Sequence, residues 1–228
     1  LNIGNLHCYY RLRRGFKDFI TGSATKFVHA IDGIDLVLGR GQTLAVVGES
    51  GCGKTTLGRA VVGLQSSTAG ELVFEGKHLA GLARERGPDL RRRVQIIFQN
   101  PDATLNPQKS VGEAIRRPLE LFELAPTAEL SDRVTSLLQS VNLPAHYAQR
   151  YPHELSGGEK QRVAIARAFA AEPDLIVCDE PLSALDVSVQ AAILNLLVEL
   201  QKSKNAAYMF ISHDLSVVRY LSDLVAVM

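Results

Sequence analysis

The stretch Gly48-Glu49-Ser50-Gly51-Cys52-Gly53-Lys54-Thr55-Thr56 constrains this chain more than any other. It satisfies the pattern G-x-x-x-x-G-K-[ST] at every fixed position. The run Gln42 to Val47 before it is apolar and β-branched and reads as a buried strand; Leu57 to Leu64 after it reads as a helix. A glycine loop between strand and helix suits an anion. Glycines let backbone N–H groups curl around phosphate oxygens, and the helix N-terminus adds partial positive charge. In that role Lys54 reaches the β- and γ-phosphates and the Thr55 hydroxyl ligates Mg²⁺. A glycine-rich turn with an unrelated lysine is the alternative, and the rest of the chain must decide.

A length of 228 residues allows one large domain or a core with a subdomain. Hydrophobic residues at 46% support a sizeable core, and a net charge of +1 offers no case for nucleic acid or an anionic membrane surface. The arginines Arg84, Arg86, Arg91, Arg92 and Arg93 read as a solvated face. Cys8, Cys52 and Cys178 lie far apart without CxxC spacing, so neither a disulfide framework nor zinc is expected, and reduced thiols in cytosol fit best. Cys52 reads as a small filler of the glycine loop, where alkylation would block a nucleotide. No run approaches a transmembrane length and no signal peptide is visible. The opening at Leu1 and the stop at Met228 are what an excised domain would show.

Asn2 to Tyr10 and Ile31 to Leu38 read as strands, with a basic exposed loop over Arg11 to Lys26. Strands are expected at Glu71–Glu75 and Val94–Phe98, with a short helix or turn at Asp89–Arg93. Gln99 to Pro107, with two prolines, reads as a structured loop. Helical patterns follow to about Ala171, first on Val111, Ala114, Ile115, Leu119 and Phe122, then on Val134, Leu137, Leu138 and Val141. Strands return at Leu175–Asp179, Ala206–Ser212 and Asp223–Met228, separated by a clean helix through Val189–Leu200 and a short one from Asp214. Strands alternating with helices imply a mostly parallel sheet, an α/β class interrupted by an all-helical insert.

The apolar strand ending in Asp179-Glu180 supplies what a nucleotide hydrolase needs beside a phosphate loop: Asp179 for Mg²⁺, Glu180 to orient or deprotonate the attacking water. A helix-capping carboxylate pair is the plainer reading. Leu155-Ser156-Gly157-Gly158-Glu159 contains a capping box, Ser156-x-x-Glu159, opening a helix over Lys160 to Ala171. Paired glycines are poor helix material, and an anion approaching that N-terminus would explain them.

Together these motifs resemble the nucleotide-binding ATPase domain of ATP-binding cassette transporters, over nearly the whole chain. The resemblance implies a P-loop NTPase fold with a mostly parallel core, an antiparallel β portion on the N-terminal side and the helical insert. It divides the chain into an ATP-binding core, 1–99 with 172–228, and a helical signature subdomain, 100–171. Gly48, Glu49, Ser50, Gly51, Cys52, Gly53, Lys54, Thr55 and Thr56 would bind ATP. Gln99 looks like the glutamine that touches Mg²⁺ and the attacking water, and Thr55, Gln99 and Asp179 would hold the metal. Glu180 resembles the catalytic glutamate, and Lys54, Gln99 and His213 complete the catalytic set, His213 as a switch on the γ-phosphate. Ser183-Ala184-Leu185-Asp186 resembles the loop that crosses to a partner. Two such domains would meet head to tail, each ATP lying against the partner's Ser156, Gly157 and Gly158. Tyr10, or else Tyr9, would stack on adenine. Glu159 stands where the family usually has glutamine, so a carboxylate would face the triphosphate and weaken closure.

The loop Gln99–Pro107, the sequence Ser183–Gln190 and the insertion after Tyr10 look like the oligopeptide, dipeptide and nickel importer branch. That implies a second ATPase, identical or not, transmembrane permease subunits, indirectly an extracytoplasmic solute-binding protein, and a peripheral place on the cytoplasmic face of a bacterial inner membrane. It names no solute, and peptides are the expectation. The branch often carries a C-terminal extension; this chain reads as lacking one, as a fragment or one half of a fused protein would. A cassette ATPase acting on nucleic acid or the ribosome should show heptads, zinc pairs or a basic imbalance, and none is visible. A nonhydrolytic scaffold would not need Lys54, Asp179, Glu180 and His213 together.

Overall fold

The computed structural model describes residues 1–11, 27–79 and 81–228. Strands β1 (Asn2–Arg11) and β2 (Phe27–Val37) pair antiparallel, and β3 (Thr43–Val47) runs into the glycine loop, from which α1 (Lys54–Val62) leaves. Strands β4 (Ala69–Phe74) and β5 (Lys77–His78) complete an antiparallel sheet ordered β2-β1-β4-β5. Next come α2 (Pro88–Arg93), β6 (Val94–Ile97), and the helices α3 (Val111–Leu121), α4 (Leu130–Ser140) and α5 (Gly157–Phe169). Then β7 (Leu175–Asp179), α6 (Val187–Lys204), β8 (Ala207–Ile211), α7 (Leu215–Leu221) and β9 (Leu224–Val227) finish the described chain. The second sheet is ordered β6-β7-β8-β3-β9, and every pairing in it is parallel. The expected loop over Arg11–Lys26 lies outside the described residues except for Arg11, which closes β1.

Strand period sorts the core. Ile176, Cys178, Tyr208 and Phe210 face one apolar cluster, shared with helices α3 to α6. Leu175, Val177, Met209 and Ile211 face the other, shared with α1 and the antiparallel sheet. Strands buried on both faces need the unbroken apolar runs that β7 and β8 carry. Helix α1 therefore lies sandwiched between two sheets, and its N-terminus sits at the carboxyl edge of the parallel one. Ligand sites of open α/β sheets gather at that edge.

Two expectations need correcting. Helix α5 begins at Gly157, not Lys160, so both glycines lie in its first turn. The arginine cluster is not a solvated face. Arg86 is only 6% exposed and donates to the carbonyls of Ala60, Val61 and Leu79 at 3.1, 2.6 and 2.8 Å. Its guanidinium thus satisfies the Val61 carbonyl, which the last turn of α1 leaves unpaired, and adds a second donor to Ala60, whose carbonyl also accepts from the Gly63 N–H. Arg93 lies over the Phe74 ring and bonds Asp174 at 2.5 Å as well as Glu75, while Arg92 donates to the carbonyls of Ala171 and Glu172. Arg84 remains exposed. These partners come from elsewhere in the fold, so adjacency in sequence does not reveal them.

Candidate functional site

Four strands deliver the predicted residues to one edge. Strand β3 ends at the glycine loop, β6 just before Gln99, β7 at Asp179, and β8 just before Ser212-His213. The loop is shaped from within. Lys54, 6% exposed, donates to the carbonyls of Gly48 and Glu49 at 2.9 and 2.7 Å, and its Nζ lies 3.7 Å from the Cys52 sulfur. Gly53 has φ 109°, and a Cβ there would stand 2.2 Å from the Ala30 carbonyl oxygen of β2. Only glycine suits both that left-handed backbone and that approach.

Thr55, in the first turn of α1, meets Asp179 although β3, which leads into α1, and β7 are not neighbours, because α1 packs across β8 and β7. The Thr55 hydroxyl donates to Asp179 Oδ1 at 3.0 Å. Burial pushes the Asp179 carboxyl above the usual carboxylate range, and the Thr55 hydrogen bond offsets part of that rise. A buried, under-compensated carboxylate beside a hydroxyl fits a hard divalent cation with oxygen ligands.

Glu180 follows at φ 46°, a left-handed conformation that costs a non-glycine residue about 1–2 kcal/mol. Its N–H donates to the Ile211 carbonyl at 3.1 Å, and the Ser183 hydroxyl donates to its carbonyl at 3.2 Å. These bonds hold the strained backbone and aim the carboxylate across the site. Gln99 Nε2 donates to Glu180 Oε2 at 3.2 Å and to the Ser183 hydroxyl at 3.1 Å. His213 Nδ1 lies 3.5 Å from Glu180 Oε1. Asp214 holds the histidine's loop by capping α7, accepting from the Ser216 N–H at 2.8 Å, while its own N–H donates to the Ser212 hydroxyl at 3.0 Å.

A cleft of about 330 Å³ opens over these groups, lined by Ser50, Gly51, Lys54, Thr56, Gln99 and Glu180 among others. A second cavity of about 80 Å³, which His213 lines, adjoins it through Glu180. The two tyrosines diverge. The Tyr10 hydroxyl donates to Thr56 Oγ1 at 3.4 Å, at the loop. Tyr9 stacks on His29 with centroids 4.0 Å apart and donates to Asp32 at 2.6 Å, away from it.

Ser156, Gly157 and Gly158 are not among the cleft's lining residues. They form the N-terminus of α5 elsewhere on the surface, where Ser156 and Gly157 are exposed. The capping box is present: the Ser156 hydroxyl accepts from the Glu159 N–H at 3.4 Å, and Glu159 Oε2 accepts from the Ser156 N–H at 2.8 Å. A Cβ on Gly158 would stand 2.6 Å from Val189 Cγ1, whereas one on Gly157 would make ordinary contact with Leu185. Gly158 thus serves packing inside the chain. Sequence reasoning missed Tyr147, whose hydroxyl donates to Glu159 Oε1 at 2.5 Å from 12 residues upstream.

Residues 31–183 match the family model described as ABC transporter. The chain belongs to the ABC transporter family. This cassette is similar to the oligopeptide transport ATP-binding protein AppF of Bacillus subtilis, at 44% identity over 100% of this chain and 68% of that protein. It is 45% identical to the dipeptide transport ATP-binding protein DppF of Haemophilus influenzae, over 100% of this chain and 68% of that one. Its fold matches the dimeric post-hydrolysis structure of the ATP-binding cassette MJ0796 bound to ADP and Pi, with TM-score 0.81, 27% identity, and coverage of 96% and 90% of the two chains. A likeness of TM-score 0.79 and 29% identity holds to cbiO1 from Clostridium perfringens, part of the ABC transporter complex cbiONQ, covering 100% of this chain and 83% of that one. The fold is the α/β P-loop NTPase expected, and the cassette is an ATPase.

Proposed function

We propose that this cassette binds ATP with a second cassette, hydrolyses it, and so powers solute import, of peptides, through separate membrane subunits. The observation that carries the reading is the meeting of Lys54, Thr55, Glu180 and Gln99 at one cleft, with Asp179 bonded to Thr55 behind it and His213 against Glu180. The glycine loop's N–H groups and Lys54 would hold the phosphates. Thr55, Asp179 and Gln99 would hold Mg²⁺, which supplies charge neutralisation on the phosphate oxygens. Glu180 would orient the attacking water and take its proton, with Gln99 and His213 fixing that carboxylate from two sides. Tyr10, at the loop, would stack on adenine.

The exposed N-terminus of α5 would meet the other cassette's ATP with Ser156, Gly157 and Gly158. A dimeric ADP-bound relative and relatives named for peptide transport support that assembly and that solute. In this reading residues 1–99 and 172–228 act as the ATP-binding core and 100–171 as the helical signature arm. A groove of about 570 Å³, lined by Thr104, Asn106, Glu113, Arg117, Pro118 and Arg167 among others, would seat the membrane subunits. The cassette would then lie at the cytoplasmic face of an inner membrane, and an extracytoplasmic solute-binding protein would deliver the solute.

The test is Glu180→Gln. Removal of a general base should lower phosphate release by about 10²–10⁴-fold. The same variant should retain ATP in a complex of two cassettes, seen by size-exclusion with light scattering. Ordinary hydrolysis by this variant would remove Glu180 from its assigned role.

A further inference from the structure

The Glu159 carboxylate stands in a position that should trouble a site built for triphosphate. It lies in the first turn of α5, beside the glycines proposed to receive the second cassette's ATP. An unopposed negative charge there would repel the γ-phosphate at close range. The structure gives the charge three donors. The Ser156 N–H and hydroxyl each donate to Oε2 at 2.8 Å. The Tyr147 hydroxyl donates to Oε1 at 2.5 Å. The first two belong to the cap itself. Tyr147 belongs to a separate turn, where Arg150 lies 4.1 Å from its ring centroid.

We infer that Tyr147 is a positioning residue for the signature: its hydroxyl holds Glu159 turned back on its own helix cap, away from the ATP that α5 must receive. The hydrogen bond from Tyr147, first among several, holds the Glu159 carboxyl below the usual carboxylate range, so the group stays ionised and needs the restraint. Charge-assisted bonds of this length are the strong class. The arrangement also explains how a carboxylate can occupy the turn without closing the site to ATP. On this inference Glu159 would not simply face the triphosphate. The inference rests on the proposed meeting of α5 with a second cassette's nucleotide.

The test uses the assembly purified through a tag on this chain, so that its natural partner cassette comes with it. ATP turnover is followed against ATP concentration for the parent, Tyr147→Phe, Glu159→Gln and the double variant. Loss of the hydroxyl should raise KM for ATP about tenfold, with kcat changed less than about twofold. With glutamine at 159 there is no charge to hold back, so adding Tyr147→Phe should change KM less than about twofold. An equal rise in both backgrounds would mean that Tyr147 merely supports its turn, and no rise in the parent would mean that it restrains nothing; either result overturns the inference. Gly157→Asp separates this from the reading beneath it. The Gly157 side has room for a side chain within the fold, so the variant should fold and lose turnover. If it turns over like the parent, α5 does not meet ATP, and the dimer reading falls together with the role of Tyr147.

Discussion

Asp179 carries opposite costs for folding and for chemistry. Burial raises its pKa in the folded chain. The folded state therefore binds the proton more tightly than the unfolded state. Below the ordinary aspartate range both forms are protonated and nothing is lost. As pH rises from that range through the raised value, the unfolded chain ionises first and the metal-free protein loses stability. Asp179→Asn should therefore raise the Tm of the metal-free chain at neutral pH while abolishing turnover. Thermal unfolding against pH in chelator checks the first part, and the difference between the two proteins should vanish on strong acidification. Arg86 is a second case. Its truncation to alanine would strand the Val61 and Leu79 carbonyls, both on buried residues, and should cost about 2–4 kcal/mol by urea unfolding. The place of Asp179 at the end of a buried strand was legible because a run of apolar residues ending in two carboxylates is a contiguous pattern. The Arg86 role was not, because its partners lie up to 26 residues away and basic runs usually face water.

Helix α5 shows how one element answers to two demands. Its cap was legible from Ser156 and Glu159, since a capping box is local. Its start at Gly157 was misplaced because helix propensity argues against paired glycines, and tertiary contact overrode it. Val189, in the first turn of α6, leaves no room for a methyl group on Gly158. Gly158→Ala should therefore destabilise the chain by about 1–2 kcal/mol, and a companion Val189→Ala should recover most of that. Chemical denaturation of the two single variants and the double decides it. Along its length α5 also grips the loop that follows Gln99: Lys160 bonds Asp102 at 2.7 Å, and Arg167 donates to the Thr104 carbonyl at 2.5 Å. The same helix thus carries the Ser156–Glu159 capping box at one end and holds the Gln99 loop along its flank.

Across the whole molecule, the two apolar clusters divide labour along the parallel sheet. One joins the sheet to helices α3 to α6, among which α3 and α5 line the large groove; the other joins it to α1 and the antiparallel sheet. The alternation of strands and helices was readable from periodicity. The strand order was not, since it places β8 between β7 and β3 and depends on crossovers that no local pattern records. If the groove seats membrane subunits, Arg117→Glu on its exposed wall should cut their recovery with the tagged chain about tenfold, and ATP binding by the chain should persist. Quantified co-purification from membranes reads that outcome.

The Lys54 ammonium already spans the Gly48 and Glu49 carbonyls. If Lys54 holds the phosphates as proposed, nucleotide capture involves a swap of acceptors on one ammonium already in place. Mixing experiments should accordingly show a single bimolecular phase that scales linearly with nucleotide concentration, at about 10⁵–10⁷ M⁻¹s⁻¹, without the plateau that a slow rearrangement imposes.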